Sequence, residues 1–267
     1  DLTTEVAWVD AEVSGTGDLS IADQSSLIVV RAVTGSGDIA LAGSDLTLNT
    51  LVETDGTVQL TATTGGVVNS NGSAIDVIAN RLVIQSQDSV DFQIDVNFLQ
   101  VSLLGPGHLS LTEAGSLNVE SVQVVDGNVS LQATQFVIEE ISASGQVDLL
   151  ATTGGIARNS SASPNITAAS LALASTAGIN LHTDVGSVTV TISGPGNVQL
   201  SEVDDLDVLQ IQLAGGDAFL SAGAGTMLIQ TINLGNGSLD VQAANVQFDG
   251  PIDPLGSLSV DASGDVG

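Results

Sequence analysis

The sequence predicts an all-β fold: a right-handed parallel β-helix (solenoid) of about 12 coils, each of roughly 20–25 residues. Three observations carry that expectation. A short phrase returns at nearly constant intervals, apolar residues alternate with polar ones in short runs, and Gly, Asn, Asp and Ser punctuate the runs.

The phrase is a Gly, a small or polar residue, then apolar–any–apolar. It reads Gly17-Asp18-Leu19-Ser20-Ile21, Gly37-Asp38-Ile39-Ala40-Leu41 and Gly56-Thr57-Val58-Gln59-Leu60, then Gly107-His108-Leu109-Ser110-Leu111 and Gly127-Asn128-Val129-Ser130-Leu131. It continues with Val147, Val198, Ala218, Leu239 and Leu258 at the first apolar position. Neighbouring copies lie about 20 residues apart, except across two gaps of about 51 residues. Each long gap divides into two coils of about 25 residues, with dividing strands at 81–84 and 170–173. A longer period encloses these: Ala62-Thr63-Thr64-Gly65-Gly66-Val67 returns as Ala151-Thr152-Thr153-Gly154-Gly155-Ile156, and Gly105-Pro106-Gly107 as Gly194-Pro195-Gly196. Both pairs are offset by about 89 residues, so four-coil blocks are duplicated within the array.

Alternation sets the local structure. Leu27-Ile28-Val29-Val30-Arg31-Ala32-Val33 and Val188-Thr189-Val190-Thr191-Ile192 place a β-branched or aliphatic side chain at every second position, the period of a strand with one buried face. No run keeps helical spacing beyond about two turns. The chain has 30 Gly, read as positive-φ corners, and 5 Pro, which fall in corners or loops. A sandwich or an antiparallel β-prism is the structural rival. Those folds reverse strand direction and have no reason to repeat one phrase every 20 or so residues, whereas stacked coils spaced about 4.8 Å apart do. Trp8, Phe92, Phe98, Phe136, Phe219 and Phe248 are expected as core or groove fillers. Residues 1–267 read as one β-helix segment, a fragment of a longer repeat protein, because Asp265-Val266-Gly267 breaks off inside the repeating pattern.

Composition excludes several classes. Three basic residues (Arg31, Arg81, Arg158) face 31 acidic ones, for a formal charge of −28. Such a chain repels nucleic acid and anionic membrane surfaces, so neither is an expected partner. With no Cys there is no disulfide framework, thiolate metal site or thiol nucleophile. Apolar content of 43% is too high for a disordered acidic tail, and no apolar run approaches the roughly 18 residues of a membrane-spanning helix.

The recurring Gly-Asp/Asn-Val-x-Leu-x-Ala phrase, with Ala62-Thr63-Thr64-Gly65-Gly66 after a strand, resembles the repeats of filamentous haemagglutinin-like exoproteins and giant repetitive bacterial surface proteins. Residues 196–206 carry most of the likeness, which extends over nearly the whole chain. The resemblance implies secretion, a right-handed β-helix shaft, an extracellular or cell-surface address and a role in adhesion or surface structure.

The expected function is therefore a structural or adhesive shaft segment, without catalysis. Self-association into fibres, and a glycan or host-surface partner, are the expected interactions. The alternative is a carbohydrate-binding or carbohydrate-cleaving β-helix. A lyase needs cationic groups to hold uronate carboxylates, and three Arg supply almost none. A hydrolase needs paired carboxylates about 5–9.5 Å apart. Asp204, Asp205 and Asp207 form the densest acidic cluster, with Asp205 and Asp207 sharing a face by alternation. His108 and His182 stand singly at different phases of the repeat and read as surface or corner residues. Calcium is the candidate cofactor: stacking brings Asp18 over Asp38, and a cation between them would relieve their repulsion. Asp18, Asp38, Asp204, Asp205 and Asp207 are the candidate ligands. The loops at 69–74 and 159–165 are the first candidates for a binding surface. Sequons occur at Asn71, Asn128, Asn159, Asn165 and Asn236.

Overall fold

The computed structural model describes residues 2–159, 164–253 and 256–267. Among them there is no helix; the chain forms parallel strands stacked into a β-solenoid of about 12 turns. It divides into two compact units, Asp1–Ala133 and Thr134–Gly267. Pro254, one of the corner prolines, and residues 160–163 of the second candidate loop lie outside the described residues.

In the first unit, in-register pairing builds files of inward side chains. One face stacks Leu19, Ile39, Val58, Leu82, Leu99 and Val119. The next stacks Leu27, Leu46, Val67, Val90, Leu109 and Val129. A third runs Ala32, Val52, Val77, Ile94 and ends in Glu113. From Ile39 onward these side chains are buried. The Val, Leu and Ile side chains among them each contribute on the order of 1.5–3 kcal/mol by leaving water, and alternation sends their neighbours outward. The second unit repeats the scheme with Phe136, Ile156, Ile179, Val198, Ala218, Leu239 and Leu258 on one face. A second face stacks Val147, Leu171, Val188, Val208 and Ile229.

The long gaps are not two whole coils. Leu82 sits on Val58, as the spacing predicted, but the next residue in that file is Leu99. The phrase at Gly107 instead places Leu109 over Val90, in the file of Leu27 and Leu46. The phrase has moved to a different face, so the gap holds about two and a half coils. The second unit makes the same shift: Leu171 lies on Val147, whereas Val198 lies on Ile179. The phrase encodes a corner followed by inward alternation, which any face can use; burial, not phrase identity, sets the register.

The glycines act differently from expectation. Among the described residues only Gly15, Gly72, Gly216, Gly223 and Gly235 have positive φ. The phrase glycines are required by close approach: a Cβ on Gly37 would lie 2.1 Å from the Gly17 carbonyl oxygen, and one on Gly237 would lie 1.7 Å from that of Gly216. Gly37, Gly127, Gly216, Gly237 and Gly256 each pack onto the phrase glycine one coil away, and Gly107 packs onto Asp88 and Ser89. The aromatic expectation holds for Phe92 and Phe136, which are fully buried, and fails for Trp8, which is 61% exposed. Trp8 is registered with Ile28, itself 40% exposed, on an outward-facing file.

Candidate functional site

At the corners some N–H groups bond to backbone carbonyls of the neighbouring coil, as Ser36 does to Gly15, and others need a different acceptor. In several of these a side chain one coil away supplies it. Asp18 Oδ1 accepts from the Asp38 backbone N–H at 2.9 Å, and Asp38 Oδ1 accepts from that of Thr57 at 2.8 Å. Asn197 serves Asp217 in the same way (2.9 Å), and Asp217 serves Ser238 (2.8 Å). His108 is a rung of such a ladder: its Nδ1 accepts from the Asn128 N–H at 3.0 Å, and its own N–H donates to Ser89 Oγ at 3.1 Å. The His182 N–H donates to Asn165 Oδ1 at 3.2 Å. Asp18 and Asp38 thus each carry a hydrogen bond along the stack, the local side chain-to-backbone pattern these residue types favour.

Sequence reasoning missed a second set of acids. Asp23, Glu113 and Glu202 are 7%, 4% and 3% exposed, yet each continues the inward alternation of its phrase: Leu19-x-Ile21-x-Asp23, Leu109-x-Leu111-x-Glu113, Val198-x-Leu200-x-Glu202. That phase was the available signal. Each carboxylate accepts from a backbone N–H 17 residues earlier: Asp23 from Val6 (2.8 Å), Glu113 from Val96 (2.8 Å) and Glu202 from Val185 (3.1 Å). Each also ties down its own corner. Asp23 accepts from the Ser25 N–H (2.7 Å) and hydroxyl (2.6 Å), Glu113 from Gly115 (2.6 Å) and Glu202 from Val203 (2.9 Å), while the Thr183 hydroxyl of the neighbouring coil also donates to Glu202 (2.7 Å). Charge-assisted bonds of this kind are the strong class. Burial nonetheless disfavours the ionised form. It pushes the Glu113 carboxyl up to about 7 against the backbone donors, with nearby Asp95 adding to the rise, and raises Glu202, where Asp204 adds to the rise.

The predicted acidic cluster is split. Asp204 joins Asp184 and Glu202, their ligand oxygens lying within 4.8 Å of one another. Asp205 Oδ1 accepts from the Thr226 N–H at 2.6 Å, in the manner of the corner acids. Asp207 lies exposed on the strand Leu206–Leu213, in register with Ser187 and Leu228. The three grouped carboxylates are hard oxygen donors of the kind calcium takes. Glu202 is buried, and its oxygens accept hydrogen bonds from Thr183, Val185 and Val203.

A shallow groove of about 410 Å³ lies on the second unit. Gln199, Phe219, Asp240 and Ser259 line it as one outward file, with Asp217 and Ser238 at its corner edge. Of the two candidate loops, residues 70–74 form a bend projecting from the coil, and Asn71 Nδ2 donates to the Thr50 carbonyl at 2.9 Å. In the other, Asn165 is 1% exposed, so that sequon is closed to modification in the folded state. Two ion pairs among the described residues, Arg31–Glu12 (2.6 Å) and Arg81–Glu120 (2.5 Å), are partly exposed surface contacts, and Arg81 also lies 5.8 Å from the Phe98 ring centre.

No family model matches the chain, and neither a curated protein nor a solved structure matches it.

Proposed function

We propose that this chain is a structural or adhesive shaft segment of a secreted or cell-surface bacterial fibrous protein. The observation that carries the reading is the commitment of the polar side chains to the stack. Corner acids, amides and His108 bridge successive coils, and the buried carboxylates accept from backbone N–H groups of the neighbouring coil. Such a design makes stiffness the product: backbone ladders run from coil to coil, aliphatic files exclude water, and an acidic exterior keeps neighbouring molecules apart. Protease shaving of intact source cells tests it. The proposal expects the segment to be digested without lysis, and protection until lysis would overturn it.

One observation favours a carbohydrate-binding role as the second reading. The groove of the second unit combines a half-exposed Phe219 with Gln199, Asp240 and Ser259, a ring face beside hydroxyl-seeking groups. A neutral glycan array decides: binding lost in Phe219→Ala supports this reading, and an array without signal removes it.

A further inference from the structure

The duplicated blocks supply an internal comparison at one buried acid. Asp76 and Asn165 occupy matching places at the foot of the two candidate loops. Asp76 precedes Val77, which pairs with Val52 and Ile94, and Asn165 precedes Ile166, which pairs with Ile141 and Thr183. Both are sealed, at 0% and 1% exposure. One arm of each side chain does the same work: Asp76 Oδ2 accepts from the Gln93 N–H (3.0 Å), and Asn165 Oδ1 accepts from the His182 N–H (3.2 Å). The other arms differ. Asn165 Nδ2 donates to the carbonyls of Ile138 (3.4 Å) and Glu139 (3.1 Å) on the preceding coil. The corresponding atom of Asp76 is Oδ1, buried and without a hydrogen-bond partner. A carboxylate there sets an acceptor where the duplicate needs a donor, one of the costlier arrangements in a protein interior.

We propose that Asp76 keeps its proton above the pH at which an ordinary carboxyl loses it, its Oδ1 carrying a proton in the place of an Asn165 amide hydrogen. The loop at 69–76 is then closed by a proton-dependent latch. A protonated carboxyl is both donor and acceptor, so it offers one donor hydrogen on the arm where the Asn165 amide offers two. The surroundings favour the proton. Asp91 and Asp95 on the following coil and Glu53 on the preceding one are all carboxylates, and Arg81 on the strand leaving Asp76 is engaged by Glu120. The polar neighbours are amides: Asn69 Nδ2 donates weakly to Oδ2 at 3.4 Å, and the Asn71 side chain lies close by. Burial raises this carboxyl above the ordinary range, Asp91 adds to the rise, and the Gln93 N–H and the two amides offset only part of it.

Asp76→Asn in the full chain tests the latch, melted from about pH 4 to about pH 8 beside wild type. The expected result is a variant that melts higher than wild type at about pH 8 and converges with it at about pH 4, since Asn supplies the donor permanently. The Glu113 titration is common to both chains and cancels in the comparison. A variant that melts lower at about pH 8, or one indistinguishable at every pH, overturns the proposal. So does a calcium-dependent rise in wild-type melting that the variant loses, which would put a cation at Oδ1. Should the variant not fold, the wild-type Asp76 carboxyl carbon read by NMR keeps the test open. A midpoint above the usual carboxylate range supports the latch, and a midpoint within or below it refutes it.

Discussion

Two glycines of the second unit separate close coil packing from glycine flexibility. Gly237 and Gly215 both have ordinary negative-side or extended φ, so Ala suits either backbone. A Cβ on Gly215 meets nothing within 4 Å, whereas one on Gly237 would lie 1.7 Å from the Gly216 oxygen and 2.6 Å from its carbonyl carbon. An ordinary Cβ···O contact needs roughly 3.2 Å, so the corner must open by more than about 1 Å. That displacement breaks the Ala218 N–H bond to the Ser238 carbonyl (2.9 Å) and the Ser238 N–H bond to Asp217 Oδ1 (2.8 Å). Two bonds at about 0.5–1.5 kcal/mol each, with strain of similar size, put Gly237→Ala at about 3 kcal/mol of destabilisation. Gly215→Ala should fall within about 0.5 kcal/mol of wild type, or be slightly stabilising through the unfolded state. Urea unfolding of both variants supplies the comparison. Equal effects, or a Gly237→Ala within about 0.5 kcal/mol of wild type, would refute the packing argument.

Other outcomes follow from the same geometry. Glu113, raised from 4.5 to about 7, contributes stability that is full below about pH 4.5 and is lost as pH rises through about 7; the loss is on the order of 3 kcal/mol. Denaturant midpoints measured across that window should fall with pH, and Glu113→Gln should flatten the slope. Asp38→Ala removes the acceptor for the Thr57 N–H and should cost about 0.5–1.5 kcal/mol, while Asp38→Asn, which retains an acceptor, should cost less. Phe92→Ala and Phe136→Ala, which empty fully buried sites, should each lose about 3–5 kcal/mol in equilibrium unfolding, while Trp8→Ala at its exposed site should lose under about 1 kcal/mol.

Much of the fold was legible because a solenoid writes its period into the chain. Alternation at Val188-Thr189-Val190-Thr191-Ile192 and the recurrence of Gly17-Asp18-Leu19 at Gly37-Asp38-Ile39 each correspond to a local requirement, inward packing and a tight corner. The shift of the phrase between faces was not legible. Gly56 and Gly107 open equally good corners, and only the pairing of Leu99 with Leu82 shows which file each joins. The corner acids were seen as a charge problem. The structure makes each one an acceptor for its neighbour's N–H, a relation along the stack that linear spacing shows only as proximity. Glu113 and Glu202 were overlooked because inward phase was equated with apolar character, although the corner they close has N–H groups that need an acceptor. Asp204 was grouped with Asp205 and Asp207 by sequence distance, whereas folding brings it to Asp184 and Glu202.

Parallel, in-register stacking is the claim on which the rest depends, and disulfide trapping tests it directly in a chain without native Cys. Asp240 and Ser259 are direct partners on adjacent coils, so cysteines there should have Cα atoms about 4.8 Å apart, inside disulfide range. Cysteines at 240 and 261 should be about 8 Å apart, outside it. The stacked-coil account predicts rapid, quantitative closure of the first pair under mild oxidation and none of the second. Closure of the second pair, or failure of the first in a folded protein, would contradict it.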